Sequence, residues 1–584
     1  MRSTPRLQFL RPYTWKAAAP PNPAYLRFFH SARQQELEKA NALSYPRLRH
    51  NGTPMRIPDF RNKYAHIEQG VVAEEEVTLH GRVESIRRAG SKLVFLDIKG
   101  EFERVQGVCN FGRLVDGTTV KDLKALAQLL NRGDIISVTG KATRTSAGEL
   151  TIQATSLPQL LTPTLVPLPT QLIDEEALTQ HPHLDMLVNP KTTDVLRLRS
   201  YIIKYLRDFF HERDFLEFQT PILSGDAGGA SARPFVVSAN TVSKDLSLRI
   251  APELWLKRLV VGGVERVFEL GPAFRNEGID QTHNPEFTIC EFYHAYANLP
   301  DLISLTEDLF RGLAAHCQSL ISTKLTSLPP VDLAAFKPPF QQVEFIPALE
   351  SALGFALPDL TSPTALQDLL DLLKSHDIPI DVNNPPTTSL PQLLDRLGGI
   401  YIEPRSATAP LFLTHHPVCM SPLAKSFTCP ATGQQVSART ELFMNARELA
   451  NMYEEENDPF AQRRKFVDQA AARAADGECV EGGAGTTIDE GYVYALGSGL
   501  PPTGGWGCGV ERLVMLFGGT RKISDCLSFG NLRNVVGLSA PTTVLEETGP
   551  EEVFGEEKQK GKGKGKGEKN APVSGEAKSE GRDV

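Results

Sequence analysis

FRNEGIDQTHNPEFTICEFY, residues 274–293, sets Arg275, Glu277, His283, Glu286 and Glu291 inside a run that is otherwise apolar and strand-like. The flanking segments VERVFEL (264–270) and FTICEFYHAY (287–296) are rich in β-branched and aromatic residues, which reads as strand, loop, strand. Side chains alternate faces along a strand, so the second strand puts Phe287, Ile289, Glu291 and Tyr293 on one side. The plain alternative is a solvated surface hairpin. A carboxylate and a phenol beside Phe287 on one face look more like a binding wall than either a core or a solvated edge.

The bulk composition sets the frame around this segment. With 584 residues, 41% of them hydrophobic and 23% charged, the chain reads as a soluble globular protein of two or more domains. A net charge of -8 argues against a generally basic nucleic-acid coat and leaves room for a local basic groove. No run of eighteen apolar residues occurs, so no membrane-spanning helix and no membrane association are expected. The eight cysteines are scattered without a C-x-x-C pair, so free thiols are expected rather than disulfides or structural zinc. Residues 1–35 carry six Arg or Lys and no acid, with Phe9, Leu10, Trp15, Leu26, Phe28 and Phe29 interspersed. That is the composition of a mitochondrial targeting segment and implies a matrix address. Residues 541–584, which include KQKGKGKGKGEK (558–569), read as a disordered low-complexity tail.

Between these ends lie several distinct regions. Residues 36–70 form an N-terminal extension. Residues 77–155 hold five short alternating segments, VTLHGRV, LVFLDIK, RVQGVCN, IISVTGK and ELTIQAT, with the helical TVKDLKALAQLLNRG between the third and fourth. That order predicts an OB-fold β-barrel over 71–160, a fold that often binds single-stranded nucleic acid. PQLLTPTLVPLPT (158–170) reads as the start of a Pro-rich linker spanning 161–190. A larger domain follows over 191–540. It opens on a helix with Leu198, Ile202, Leu206 and Phe209 on one face and carries a Pro-, Leu- and Ser-rich insertion over about 318–410.

GGASARPF (228–235), RIAPELWLKRLVVGG (249–263), FRNEG with HNPEFT, MSPLAK (420–425), ELANMYEEEND (448–458) and GWGCGVERLVM (505–515) occur in that order. The series resembles the class II lysyl-tRNA synthetases, in their mitochondrial form, over roughly residues 55–530. HIGH and KMSKS signatures and a Gly-rich phosphate loop are absent. The resemblance implies an α+β fold, with an antiparallel catalytic sheet flanked by helices and preceded by an OB-fold barrel that reads the anticodon. It also implies a homodimer through the 195–221 segment, and ligation of L-lysine to tRNA(Lys) at the expense of ATP.

The same resemblance assigns roles. Arg275 clamps the α-phosphate, Glu277 and His283 face the nucleotide, and Phe287 stacks on adenine. Arg512 covers the other adenine face and reaches the γ-phosphate, which makes Arg275 and Arg512 the catalytic pair. Glu441 and Glu448 hold the Mg2+ that accompanies ATP. Arginine suits a phosphoryl centre because its planar fork binds phosphate in a bidentate way and stacks on rings. A lysine substrate brings two ammonium groups, and each needs a carboxylate once desolvated. Glu253 serves the α-ammonium, while Glu291 and Glu455 serve the ε-ammonium, with Tyr293, Asn451 and Tyr453 alongside. Gly228 and Gly229 leave room for the substrate. In the barrel, Arg87, Phe95 and Gln106 read the central anticodon uridine.

Some features depart from simple expectation. Strict alternation puts Asn451, Tyr453 and Glu455 on one face and Glu448 on the other, so both sets of roles require a bulge. One extra residue lies between Gly81 and the Arg87-Arg88 pair. LTQHPHLDM (178–186) lacks the family's usual arginines, and SDCLSFGNLRN (524–534) replaces its Phe-Pro ending. The rival readings are an aspartyl or asparaginyl enzyme, a lysine-activating paralogue that modifies a protein, and a non-catalytic RNA-binding paralogue. The acids oppose the first, the barrel opposes the second, and retention of Arg275, Arg512, Glu441 and Glu448 opposes the third.

Overall fold

The computed structural model describes residues 32–48, 53–115, 117–166, 168–225, 228–229, 232–240, 245–379, 389–475 and 488–530. The proposed tail of 541–584 and most of the targeting segment lie outside these residues. The segment's last residues differ from expectation. From Ala32 the chain is folded as helix α1 (Ala32–Lys39), because Arg33 donates to the Leu129 carbonyl at 2.6 Å and pairs at 3.1 Å with the buried Asp134.

The alternating segments fold as the expected barrel. β1 (Val72–Arg88) pairs antiparallel with β2 (Leu93–Gly100) and with β4 (Ile135–Arg144). β3 (Glu103–Asn110) joins β2 to β5 (Leu150–Ala154), and β5 returns to β4 to close the barrel. α2 (Val120–Leu129) sits between β3 and β4, started by a capping box in which Thr119 and Asp122 exchange side-chain to backbone bonds. Val77, Leu79, Val94, Leu96, Ile98, Val105, Ile136, Val138 and Ile152 fill the interior. The Pro-rich stretch is not wholly linker. Gln159–Thr162 pairs with β4, so the sheet continues past the expected end of the barrel.

The larger unit is built on an eight-stranded sheet. Its strands are β6 (Leu216–Glu217), β7 (Arg266–Phe274), β8 (Glu286–Ala295), β9 (Gln341–Glu344), β10 (Leu411–Thr414), β11 (Arg439–Met444), β12 (Arg447–Glu454) and β13 (Thr503–Gly509). Their order across the sheet is β9-β10-β11-β12-β13-β8-β7-β6. Pairing is antiparallel except at the two edges, where β9–β10 and β7–β6 are parallel. One face packs against α3 (Pro190–His211), α5 (Leu299–Thr323) and α6 (Val510–Gly518). As expected, Leu198, Ile202, Leu206 and Phe209 are buried there, and Phe210 sets its ring 5.2 Å from both Phe268 and Phe292.

The insertion is smaller than 318–410. α5 runs on to Thr323, and β9 is a strand of the main sheet whose partner is β10. The three helices Phe345–Leu353, Ala365–Ser375 and Leu390–Tyr401 form a separate small core of leucines. Composition alone could not place this edge, since β9 is defined by a partner far along the chain. No described helix is long and apolar enough to cross a membrane, and the described cysteines are free thiols.

Candidate active site

The opening segment forms a strand, loop and strand in register from Arg266↔His294 to Phe274↔Glu286. Cys290 and Phe292 point into the core, while Phe287, Ile289, Glu291 and Tyr293 line a cavity of about 1050 Å³. The alternation read from the sequence is therefore the alternation observed. β13 forms the floor between β8 and β12. Trp506 and Cys508 are core residues, and Gly505, Gly507 and Gly509 turn bare backbone to the cavity. A Cβ on Gly505 would stand 1.9 Å from Glu455 Oε1 and 2.7 Å from the Tyr293 ring, and one on Gly507 would stand 3.2 Å from Glu291 Cγ. The glycines of GWGCG make space for acids and a phenol carried by other strands.

One part of the cavity is cationic. The Arg275 guanidinium lies 5.1 Å from the centroid of the Phe287 ring, and burial lowers its pKa against the charges of Glu277, Glu448 and Glu291. Arg512, in the first turn of α6, donates to the Glu448 carbonyl at 2.9 Å and to its carboxylate at 3.0 Å. Its other terminal nitrogen is 3.5 Å from His283 Nε2, and His283 Nδ1 is 2.7 Å from Asp280. Glu277, also on the cavity wall, follows Arg275 in the same loop.

The bulge that the sequence required is present. Leu442 pairs with Ala450, but Phe443 pairs with Glu448, so Leu449 is the extra residue and is buried in the core. That offset lets Glu448 line the cavity together with Asn451 and Tyr453. Glu441, paired with Asn451, accepts from His416 Nε2 at 3.0 Å and from Arg439. Burial pushes the Glu441 carboxyl up, but Arg439 and His416 outweigh it and bring the pKa down to about 2. Among the described residues no group of three or more His, Cys, Asp or Glu side chains is placed to hold a metal alone. Two carboxylates on adjacent strands, beside phosphate-sized space and arginines, fit a magnesium ion that shares phosphate ligands.

The other part is acidic. Glu253, in the first turn of α4 (Glu253–Val261), accepts from Tyr453 Oη at 2.6 Å and pairs with Lys257 at 2.6 Å. Gly229 holds φ +94°, and a Cβ there would stand 3.0 Å from Glu253 Cβ, which explains glycine at that position. Gly228 lines the same wall. Tyr293 Oη donates to Glu291 at 3.2 Å. Burial, and then the charge of Glu253, raise the Glu291 pKa to about 8 against the Tyr293 bond and Arg275. Asn451 accepts from Arg439 at 3.0 Å.

Glu455 departs from its expected place. It is fully buried and absent from the cavity wall, and it pairs at 2.5 Å with Lys257 on the same side of the floor as Glu291, over Gly505 and beside Tyr293. Its backbone N–H still bonds the Thr503 carbonyl and its side chain keeps the face of Tyr453, but an interior ammonium claims the carboxylate.

The family described as "tRNA synthetases class II (D, K and N)" matches residues 174–533, and an OB-fold nucleic acid binding domain matches residues 77–160. The mitochondrial lysine–tRNA ligase of Schizosaccharomyces pombe is 41% identical over 512 residues, covering 86% of this chain and 93% of that protein. The mitochondrial lysine–tRNA ligase of Saccharomyces cerevisiae is 35% identical, covering 79% and 82%. A lysine–tRNA ligase of Helicobacter hepaticus is 37% identical, covering 81% and 88%. The chain belongs to the class II lysine–tRNA ligases. Membership of this ligase family makes it an ATP-dependent aminoacyl-tRNA synthetase.

In this ligase chain the barrel carries a second cluster of expected residues. Val83 pairs with Ile98 and Ser85 with Asp97, so Glu84 is a bulge that absorbs the extra residue after Gly81. Arg87 then falls directly opposite Phe95, its guanidinium carbon 5.6 Å from the ring centroid. Phe95 is only half-buried and lies outside the core, which Val94, Leu96 and Ile98 fill. Gln106, next along the outer face, pairs with Asp97 and accepts from Thr151 at 3.3 Å.

Several residues of the ligase site were not read from the sequence. Arg439 holds both Asn451 and Glu441, and it donates to the Met420 carbonyl of MSPLAK at 2.8 Å. Glu511 clamps α6 to its neighbours, accepting from Arg199 and from the Thr288 amide, each at 3.0 Å. Lys257 did leave a signal. It stands four residues after Glu253, between the buried Leu256 and a later buried Val260, a face where lysine is out of place.

Proposed function

We propose that the chain activates L-lysine with ATP in the cavity between β8, β12 and β13 and transfers it to the 3′ end of tRNA(Lys) bound across the barrel. The carrying observation is a single cavity that presents the acids Glu253 and Glu291 together with the arginines Arg275 and Arg512. An aspartate side chain would meet Glu291 as a like charge, whereas an ammonium finds a partner there. In this reading Glu253 takes the α-ammonium and Glu291, with Tyr293, takes the ε-ammonium, while Asn451, Tyr453 and Gly229 shape the pocket. Glu455 acts indirectly, through its pairing with Lys257.

Arg275 holds the α-phosphate and Phe287 stacks on adenine. Glu277 and His283 face the nucleotide, and Arg512 exchanges Glu448 for phosphate and covers the adenine. The lysine carboxylate then attacks phosphorus and pyrophosphate leaves. No protein nucleophile is needed, because charge developing on the phosphoryl oxygens is what the arginines stabilise. Magnesium brought with ATP would be held by Glu441 and Glu448, where it neutralises phosphate charge.

The barrel face of Arg87, Phe95 and Gln106 reads the anticodon by stacking and hydrogen bonding. The test is lysine-dependent pyrophosphate exchange beside aminoacylation at one fixed salt concentration. Exchange is expected with L-lysine and not with aspartate. Phe95→Ala and Gln106→Ala should leave exchange near normal and weaken aminoacylation, a lost stack being worth about 1–3 kcal/mol. Exchange lost as fully as aminoacylation, in a variant with an unchanged melting temperature, would refute this division of labour.

We further infer a mitochondrial matrix location from the acid-free basic segment, supported by relatives whose names are mitochondrial. A reporter fused to residues 1–40 that stayed outside mitochondria would count against it. The segment 195–221 is proposed as a homodimer interface, and sedimentation at the mass of one chain would set that aside.

A further inference from the structure

Lys257 is the one lysine among the fully buried large side chains of the described residues, and the reading so far gives it no part. It projects from α4 into a closed space beside the cavity, covered by the rings of Tyr293 and Tyr453 that line it. Its Nζ lies 2.6 Å from Glu253 Oε1 and 2.5 Å from Glu455 Oε2. The rings of Tyr293, Tyr453 and Tyr492 surround it at 5.8, 5.8 and 5.7 Å, a cage of cation–π distances. Burial alone would strip its proton, but Glu253 and Glu455 outweigh that and hold it charged. An ammonium paired this way is costly to assemble and strongly destabilising to break, so its retention calls for a role.

The geometry at Glu253 indicates one. Its two carboxylate oxygens face different ways. Oε1 is the interior oxygen, taken by Lys257 at 2.6 Å and by Tyr453 Oη at 2.6 Å. Oε2 is the oxygen turned toward Gly229, whose missing Cβ would stand 3.6 Å from it, and Gly229 lines the cavity. Lys257 therefore pins one oxygen and aims the other, and Glu455 in turn fixes Lys257 from the far side.

We propose that Lys257 is a positioning residue for recognition of the substrate α-ammonium, acting as an internal counter-ion that orients Glu253 toward the cavity. Glu291 stands on β8 and bonds Tyr293, so it meets this relay only through the charge of Glu253. The proposal rests on the lysine-binding reading above and predicts something that reading does not. Loss of Lys257 should blunt discrimination at the α end of the substrate and spare it at the ε end.

Two analogues separate the ends: 6-aminohexanoate lacks the α-ammonium, and norleucine lacks the ε-ammonium. Affinities of L-lysine and both analogues would be measured on the full chain and on Lys257→Met, which keeps volume and removes charge. In Lys257→Met the preference for lysine over 6-aminohexanoate should shrink by about tenfold or more. Its preference over norleucine and its ATP affinity should stay within about twofold of the parent. A merely structural lysine would weaken both preferences together, and that result, or an unchanged α-end preference, overturns the proposal. If Lys257→Met does not fold, Lys257→Met/Glu455→Gln also neutralises the fully buried Glu455 and leaves Glu253 with its Tyr453 bond, and the same two ratios decide. Should the parent chain itself fail to prefer lysine to either analogue, the lysine-binding reading falls, and not the relay alone.

Discussion

Arg275→Ala is expected to lower lysine-dependent pyrophosphate exchange by about three orders of magnitude or more, the scale of removing an arginine from a phosphoryl-transfer centre. The expectation rests on position. Arg275 leaves the end of β7 at the cavity wall, is stacked on Phe287, and is set among Glu277, Glu291 and Glu448. A guanidinium partly stripped of water gains more from a phosphate than one in bulk solvent. Its loss also removes the group that packs on the Phe287 ring. Binding of tRNA should persist, because the barrel face is a separate surface. Arg275→Lys should recover only part of the rate, since a point charge lacks the fork. Exchange within tenfold of the parent in Arg275→Ala would show that the α-phosphate is held elsewhere.

Glu291→Gln is expected to cost about 3–5 kcal/mol in lysine use, the scale for breaking one side of a buried ion pair. The fold should tolerate it well. With a pKa raised to about 8, Glu291 is mostly protonated at pH 7 in the empty site, so a neutral amide is a close replacement there. The cost appears only when the substrate ammonium arrives and finds no carboxylate. The same shift has a pH signature. An ammonium beside Glu291 favours its charged form and lowers its pKa, so lysine uptake at pH 7 should release close to one proton. Apparent lysine affinity should then rise with pH and level off above about pH 8. Calorimetry in two buffers of different ionisation enthalpy measures that release directly. Proton release that survives in Glu291→Gln, or an affinity flat from pH 6 to 8, would move the ε-ammonium to another acid.

Much of this was legible before folding. The wall of Phe287, Ile289, Glu291 and Tyr293 follows from period-two geometry, which depends only on local backbone. The barrel strands and the buried face of α3 follow from short-range periodicity in the same way, and the ordered motifs carry the family. The need for a displacement near Glu448 was readable too, because Glu448 and Asn451 could not otherwise share a cavity.

What the chain alone could not decide is set by partners distant in sequence. Leu449 and Glu84 are bulges only relative to the strands they fail to match, β11 and β2, so no window of sequence contains them. Glu455 was assigned to the substrate because it lies among matched motifs. The fold instead brings Lys257 against it from a helix almost two hundred positions earlier, and a buried carboxylate pairs with the nearest buried cation. Arg512 likewise rests on Glu448, so an acid and an arginine read as separate ATP ligands are each other's partners in this structure. Periodicity determined which side chains face the cavity. Long-range pairing and the desolvation of charge decided which of them remain free to meet a substrate.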